Sequence, residues 1–236
     1  KTPQADIQEG SLGGTVYLKT RKPLDLDANT VSLQAQAQYS DVSEEWDPQL
    51  SGLYSWKNDN ETFGVLVSLT RQERSLARKG KEVLGFYRQE VNGSDYWAPR
   101  LIGDAYFQQQ RERTTALVTA QWQPADSTDV VLNILDTKLD ANNINHNLYT
   151  FFNNNFDQSS AVISGSGVIS AETGATSSEF AVIDRVSYSD SKAYDLEINH
   201  TLNNGMVVTG KLGTTEAEGG TSRDRYHQFN GSYTRS

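Results

Sequence analysis

A chain of 236 residues has room for one large or two small domains, and its net charge of -9 argues against a nucleic-acid partner, because phosphate binding needs clustered cations. With no cysteine there is no disulfide framework, thiol nucleophile or cysteine zinc site; the three histidines, His146, His200 and His227, lie far apart, so no metal site and no cofactor is expected. No run of about 18 apolar residues offers a spanning helix, yet a strand alternating between lipid and a wet lumen is polar on average, so periodicity has to decide.

The first distinctive stretch is EGSLGGTVYLKTRKPLD, residues 9–25. Gly10, Gly13 and Gly14 let a backbone bend sharply or run close to a wall, residues 15–20 alternate as a short strand, and Pro23 cannot continue a central ladder. By itself this is also the pattern of a glycine-rich turn before an edge strand.

From Thr30 the text TVSLQAQAQYS puts Val31, Leu33, Ala35, Ala37 and Tyr39 on one face and Ser32, Gln34, Gln36 and Gln38 on the other. QLSGLYSWK then aligns Leu50, Gly52, Tyr54 and Trp56, and ETFGVLVSLTR aligns Phe63, Val65, Val67 and Leu69, although Leu53 and Leu66 fall on the polar faces. TTALVTAQWQP aligns Ala116, Val118, Ala120 and Trp122, and TDVVLNILDTKLD sets Val130, Leu132 and Ile134 opposite Val131, Asn133, Leu135 and Thr137. KAYDLEINHTL sets Tyr194, Leu196 and Ile198 opposite Asp195, Glu197 and Asn199; GMVVTGKLGTT and RYHQFNGSYTR are two weaker strand candidates. Three polar residues on one face are costly in a dry core and ordinary in a wet lumen.

The predicted connections alternate in length. KNDNE, QPADS and NNG are short turns, whereas about nine residues follow Ser40, roughly forty follow Arg71, close to fifty follow Asp140 and around ten follow Thr215. Short turns at one end and long loops at the other are the signature of an antiparallel transmembrane β-barrel. On that assignment Trp56, Phe63 and Trp122 fall at the short-turn ends and Tyr39, with Tyr188 or Tyr194, at the outer ends, where amphipathic rings favour the interface. A soluble β-sandwich or β-helix also alternates and also uses Gly and Asn turns.

The segment GSLGGTVYLKTRKPLD resembles the junction between plug and barrel in TonB-dependent outer-membrane receptors, in the proteobacterial branch often linked to carbohydrate uptake. The resemblance implies that residues 1–23 are the C-terminal end of a plug domain, with Gly10, Gly13, Gly14, Arg21 and Pro23 at the plug–barrel junction. Residues 24–236 would then be the N-terminal part of a large, plugged barrel: about eight strands, incomplete, with long extracellular loops, against about 22 in plugged transporters. It further implies a bacterial outer-membrane location and contact with membrane lipid and lipopolysaccharide. A scarce nutrient, leaning towards an oligosaccharide, would be taken up by plug rearrangement driven by the TonB complex, acting through a plug N-terminus absent from this sequence. The other readings are a ferric siderophore receptor, a passive porin and a surface adhesion module.

For the ligand, the candidates are Tyr96, Trp97, Tyr106, Tyr149, Phe151 and Phe152, because ring faces cover the apolar side of a sugar while neighbouring amides answer its hydroxyls. Residues 159–179, rich in Ser and Gly, read as an excursion hairpin or a mobile segment. The basic stretch of Arg71, Arg74, Arg78, Lys79 and Lys81 suits an anion or lipopolysaccharide phosphate. Carboxylate pairs such as Glu44 with Glu45 have no accompanying nucleophile or base, so no catalytic residue and no enzyme activity is expected.

Overall fold

The computed structural model describes residues 19–152, 156–173 and 175–234. A 3-10 turn at Pro23–Asp25 precedes eleven strands: β1 (Thr30–Ser40), β2 (Glu45–Lys57), β3 (Phe63–Val83), β4 (Phe86–Val91), β5 (Ser94–Pro99), β6 (Leu101–Ala125), β7 (Thr128–Phe151), β8 (Phe156–Ser164), β9 (Gly167–Thr173), β10 (Ala175–Thr201) and β11 (Val207–Thr234). Seven of them form one antiparallel sheet in the order β1-β2-β3-β6-β7-β10-β11, and the other four form a small sheet in the order β4-β5-β9-β8. Among the described residues β1 and β11 each pair on one side only, so the large sheet is open rather than closed.

All three predicted short turns lie at one end of this sheet. In the first, the Asn58 side chain accepts from the backbone N–H groups of Thr62 and Phe63, both at 2.9 Å, which closes the β2–β3 turn. At the other end the expected long loops are corrected. The segment after Arg71 continues as β3 to Val83 and returns as β6 from Leu101; the segment after Asp140 continues as β7 to Phe151, and β10 starts at Ala175. Between them stand two hairpins, β4–β5 and β8–β9, joined by a single parallel bridge from Trp97 to Gly167. The predicted excursion hairpin within residues 159–179 corresponds to β8–β9.

Two further expectations change. The candidates at residues 205–215 and 225–235 are one strand, β11, with an irregularity opposite Val186 and Ser187 that leaves Ser222 unpaired, so the large sheet has seven strands instead of about eight. The connection after Ser40 is four residues long, not nine, because β2 starts at Glu45 and the Glu44 N–H donates to the Ser40 carbonyl at 2.8 Å. The physical cause is common to all these cases. The ladder is held by backbone hydrogen bonds and cross-strand pairs, which persist where side chains on both faces are polar and the apolar alternation fades.

The two faces of the large sheet differ sharply near the short-turn end. One face carries Val31, Leu33, Trp46, Leu50, Tyr54, Leu69, Trp122 and Leu212 in the open, with Leu33 82% and Leu212 73% exposed. On the opposite face, called inner here because residues 19–26 lie on it, Ser55 and Thr119 are fully buried and Gln121 is 4% exposed. This inverts the ordinary arrangement, in which large apolar groups are buried and polar ones face water.

The apolar band on the outer face runs obliquely across the strands. Its limit away from the short turns is the Tyr39–Trp46 pair in β1 and β2, Leu69 and Ala116 in β3 and β6, and Ile134 and Tyr194 in β7 and β10. The cross-strand row of Ile134 and Tyr194 is the row of Val31 and Tyr54, so the limit falls from Tyr39 to the level of Val31, about 26 Å along the strand. The same change spans the steps from β1 to β10, about 24 Å across the sheet. The band therefore crosses the strands at about 45°.

Candidate functional site

Gly10, Gly13 and Gly14 lie outside the described residues; the part of the predicted junction that follows them forms a dock on the inner face. Pro23 is buried, while Arg21 is exposed and takes no part. The close approach depends on Gly64 in β3, where a side-chain carbon would stand 3.0 Å from Pro23 Cβ, 3.0 Å from the Trp56 carbonyl and 3.1 Å from Leu24 Cδ2.

Around this contact the wall offers polar partners that match the segment group by group. Lys22 Nζ is 2.6 Å from an Asp129 carboxylate oxygen, and the Leu24 N–H donates to Gln121 Oε1 at 3.0 Å. Gln121 is oriented by donating its own amide to the other Asp129 oxygen at 2.8 Å, so Lys22 and Leu24 read two ends of one bonded pair. Thr20 donates to Asn133 Oδ1 at 3.1 Å beside Thr119, which donates to the same oxygen at 2.8 Å, and Asn133 passes its amide on to Asp195 at 3.3 Å. Charge-assisted bonds of this kind are the strong members of such a network, and the partial burial of Lys22 and Asp129 shields them from water. Further along the face Glu197 accepts from Asn199 and pairs with Lys211 at 3.1 Å. Between residues 19–25 and the wall a polar cleft of about 560 Å³ remains, lined in part by Gln123, Asp129, Asn133, Asp195 and Glu197.

The predicted ligand residues are dispersed. Tyr96 and Trp97 are neighbours on β5 and point to opposite faces of the small sheet; Trp97 is 41% exposed and carries the Arg88 guanidinium 4.3 Å over its ring. Tyr106 is on the outer face of β6, stacked with His146 at 6.3 Å and approached by Lys79 at 5.1 Å. Tyr149 is on the inner face of β7, directly opposite Gly103, and its ring stands 2.8 Å from where a Gly103 side-chain carbon would be. Phe151 shares the Tyr149 face and ends β7, paired with Leu101 and Ser177; Phe152 follows it, donating its N–H to the Arg100 carbonyl at 3.3 Å. The candidates therefore divide among four surfaces, the two faces of each sheet.

The basic stretch is likewise divided by strand alternation and matched by acids. Arg71 pairs with Glu112 at 2.9 Å, Arg78 with Glu82 at 2.9 Å and Lys81 with Asp104 at 3.5 Å. The acidic turn near Glu44 also resolves into structure, since both Asp47 oxygens accept from the Ser75 N–H at 2.8 Å.

Residue types alone leave the wall partners of Lys22 and Leu24 hidden, because Gln121, Asp129 and Asn133 are about a hundred positions away. The one available signal is that all three fall on the polar side of strands whose other side is apolar. The Asn92–Gly93 pair, with φ of 51° and 78°, makes the tight turn of the β4–β5 hairpin; an Asn-Gly dipeptide is the standard local signal for it. Comparison of the chain with protein-family models and with curated proteins finds no match to either.

Proposed function

We propose that this chain forms the last plug segment and the first wall strands of a TonB-dependent outer-membrane receptor, the large sheet being an arc of its transmembrane barrel. The observation that carries the reading is the oblique apolar band on one face, set against a polar inner face on which the Thr20–Leu24 segment is bonded. Barrel strands are tilted by about 35–45° to the axis, so a membrane of uniform thickness marks a slanting apolar stripe on them. An apolar strip of about 9–11 residues suffices to cross, which β1 and β2 satisfy between Val31 and Tyr39 and between Trp46 and Trp56. Trp56, Phe63 and Trp122 then mark the periplasmic interface, with Trp56 and Phe63 in edge contact at 6.3 Å, and the Tyr39–Trp46 pair at 5.2 Å marks the outer one. The parts of β3, β6, β7, β10 and β11 beyond the band rise outside the membrane, in contact with lipopolysaccharide at their base.

In this reading a lumen filled by a folded plug does not conduct until the energised TonB complex pulls on it, which distinguishes the protein from an open porin. The nutrient is an oligosaccharide, and no bond is made or broken. Two measurements on the full-length receptor test this. Single cysteines at Val67 and Leu132 should be shielded from a membrane-impermeant maleimide and respond to lipid-borne quenchers, whereas cysteine at Thr137 should not respond to the quenchers. Nutrient uptake by whole cells should cease when TonB is deleted. Water-accessible Leu132, or uptake that persists without TonB, would overturn the proposal.

A further inference from the structure

Strand register brings three arginines together on the inner face. In β3 Arg74 lies on that face, and its direct partner across the ladder is Arg111 of β6; Arg113, two residues along β6, stands opposite Gln72 on the same face. The Cα atoms of the three arginines lie within about 8 Å of one another, the spacing of direct and diagonal neighbours in a sheet. All three are exposed. Like charges directly opposite each other cost a ladder stability, and a counter-ion held between them removes that cost.

The chain itself does not supply that counter-ion. Among the described residues Arg74 and Arg113 take part in no ion pair and no side-chain hydrogen bond, and Arg111 spends only its Nε–H, on Gln109 at 2.7 Å. The acids nearest in register are Glu45 and Asp47 at the start of β2, and neither comes within ion-pair distance of an arginine; Asp47, 6% exposed, turns both oxygens to the Ser75 N–H at 2.8 Å. Further along the inner face Glu82 is taken by Arg78 at 2.9 Å and Asp224 by Arg185 at 3.0 Å. Beside the arginines the face is low. Their two rows continue across β7, β10 and β11 as Ala141, Ser187, Thr221 and as Leu139, Ser189, Gly219. Ser189, Gly219 and Thr221 are exposed, and the Ser187 and Thr221 hydroxyls stand 3.3 Å apart, so a group seated on the guanidinium forks meets little bulk on that side.

We infer that Arg74, Arg111 and Arg113 form an oxyanion site, which takes a carboxylate, sulfate or phosphate group. A guanidinium is a planar fork of N–H donors with no acceptor, and it matches such a group with two parallel bonds. An oxyanion between Arg74 and Arg111 bonds to both and cancels their repulsion, and Arg113 reaches it from the adjoining row. The site selects for charge: a neutral ligand leaves the two arginines facing each other uncompensated. The row of Arg74 and Arg111 is eight residues, about 26 Å along the strands, from the row of Leu66 and Thr119 at the dock. The placement of the site in a lumen, on the outer side of the plug segment, rests on the receptor reading; its chemistry does not.

The test uses the longer receptor that completes the barrel on the proposed reading, purified in detergent and held at constant ionic strength. Calorimetry and thermal unfolding compare sodium sulfate, sodium phosphate and galacturonate with sodium chloride and galactose. At least one oxyanion should bind saturably and raise the unfolding temperature, while chloride and galactose do neither. Arg74→Gln and Arg111→Gln should each weaken that binding tenfold or more, and Arg111→Gln should raise the unfolding temperature in chloride alone, because it removes the like-charge pair. Arg71→Gln, on the outer face of the same strand, should leave binding as in the parent. Sulfate or phosphate bound without galacturonate supports the site as one for a free inorganic ion; galacturonate bound where galactose is not supports it as one for the acid group of an organic ligand. No saturable binding by any of the three at millimolar concentration, or binding that survives both inner-face substitutions or falls equally with Arg71→Gln, overturns the inference. Absence of anion binding together with TonB-dependent uptake would remove this site and leave the receptor reading standing. Anion binding lost in both inner-face variants, with uptake independent of TonB, would do the reverse.

Discussion

At Gly64 the wall gives way to the segment it holds. The 3.0 Å approach of Pro23 Cβ and of the Trp56 carbonyl leaves no room for a side chain, and a backbone carbonyl within the ladder does not move aside. Gly64→Val is expected to lift residues 22–24 off the wall at a cost of about 1–3 kcal/mol, the usual range for overpacking. Hydrogen exchange of the Leu24 amide, now bonded to Gln121 at 3.0 Å, should accelerate while exchange in β7 is unchanged. Another residue-level consequence concerns Tyr226, whose phenol is pushed up to about 12, chiefly by donating to Glu179. A folded value above the ordinary one of about 10 means that the bond stabilises the fold fully below pH 10, and that this contribution is lost as pH rises through 12. Spectrophotometric titration of tyrosinate should show several late-ionising groups, the latest of which disappears in both Tyr226→Phe and Glu179→Gln.

Within a single strand, the two faces of β7 provide the sharpest contrast. Val131 is 3% exposed on the inner face, and its neighbour Leu132 is 38% exposed on the outer. If the outer face meets lipid, Leu132→Arg should destabilise the full-length receptor by about 2–4 kcal/mol near the bilayer midplane, and Thr137→Arg, on the lumen side, by much less. Equilibrium unfolding in guanidinium with lipid vesicles measures both. The hairpin of β4 and β5 depends on its turn in the same local way. Gly93 has φ of 78°, so Gly93→Val should cost about 1–2 kcal/mol there, seen as faster exchange of the Trp97 amide that bonds the Ser166 carbonyl at 2.8 Å.

For the whole molecule, the decisive feature is an open sheet. Among the described residues, strands β1 and β11 leave rows of backbone N–H and C=O groups without ladder partners on their outer edges, and exposed edges of that length drive association. The 236-residue chain produced alone should therefore form dimers and larger assemblies on refolding, as light scattering will show, whereas on the proposed reading a longer receptor that completes the barrel should remain monodisperse. A stable monomer of the isolated chain would count against the barrel-arc proposal. The long contiguous pairings, such as that of β7 with β10 from Thr128 with His200 to Phe151 with Ser177, make the arc a stiff wall. Such a wall can hold the dock near the short turns and the strand extensions far from them in constant relation.

The sequence by itself determined the period of two, the short turns and the assignment of faces in the segments that carry the apolar band. Val130, Leu132 and Ile134 oppose Val131, Asn133 and Leu135 in the structure as the alternation requires. That much is legible because each residue's preference for one face is local and repeats where one side is apolar and the other is not. Just beyond Arg71, Asp140 and Thr215 both faces become polar, the contrast is interrupted before Ile144 and Leu148 resume it on the outer face, and strands of the same ladder read as loops. Tertiary structure alone decided that β3, β6, β7, β10 and β11 run on, that Asp129 meets Lys22, and that Tyr106 and Tyr149 face opposite ways. Those outcomes depend on register between strands distant in sequence, and register is set by the sum of many pairings rather than by any one residue.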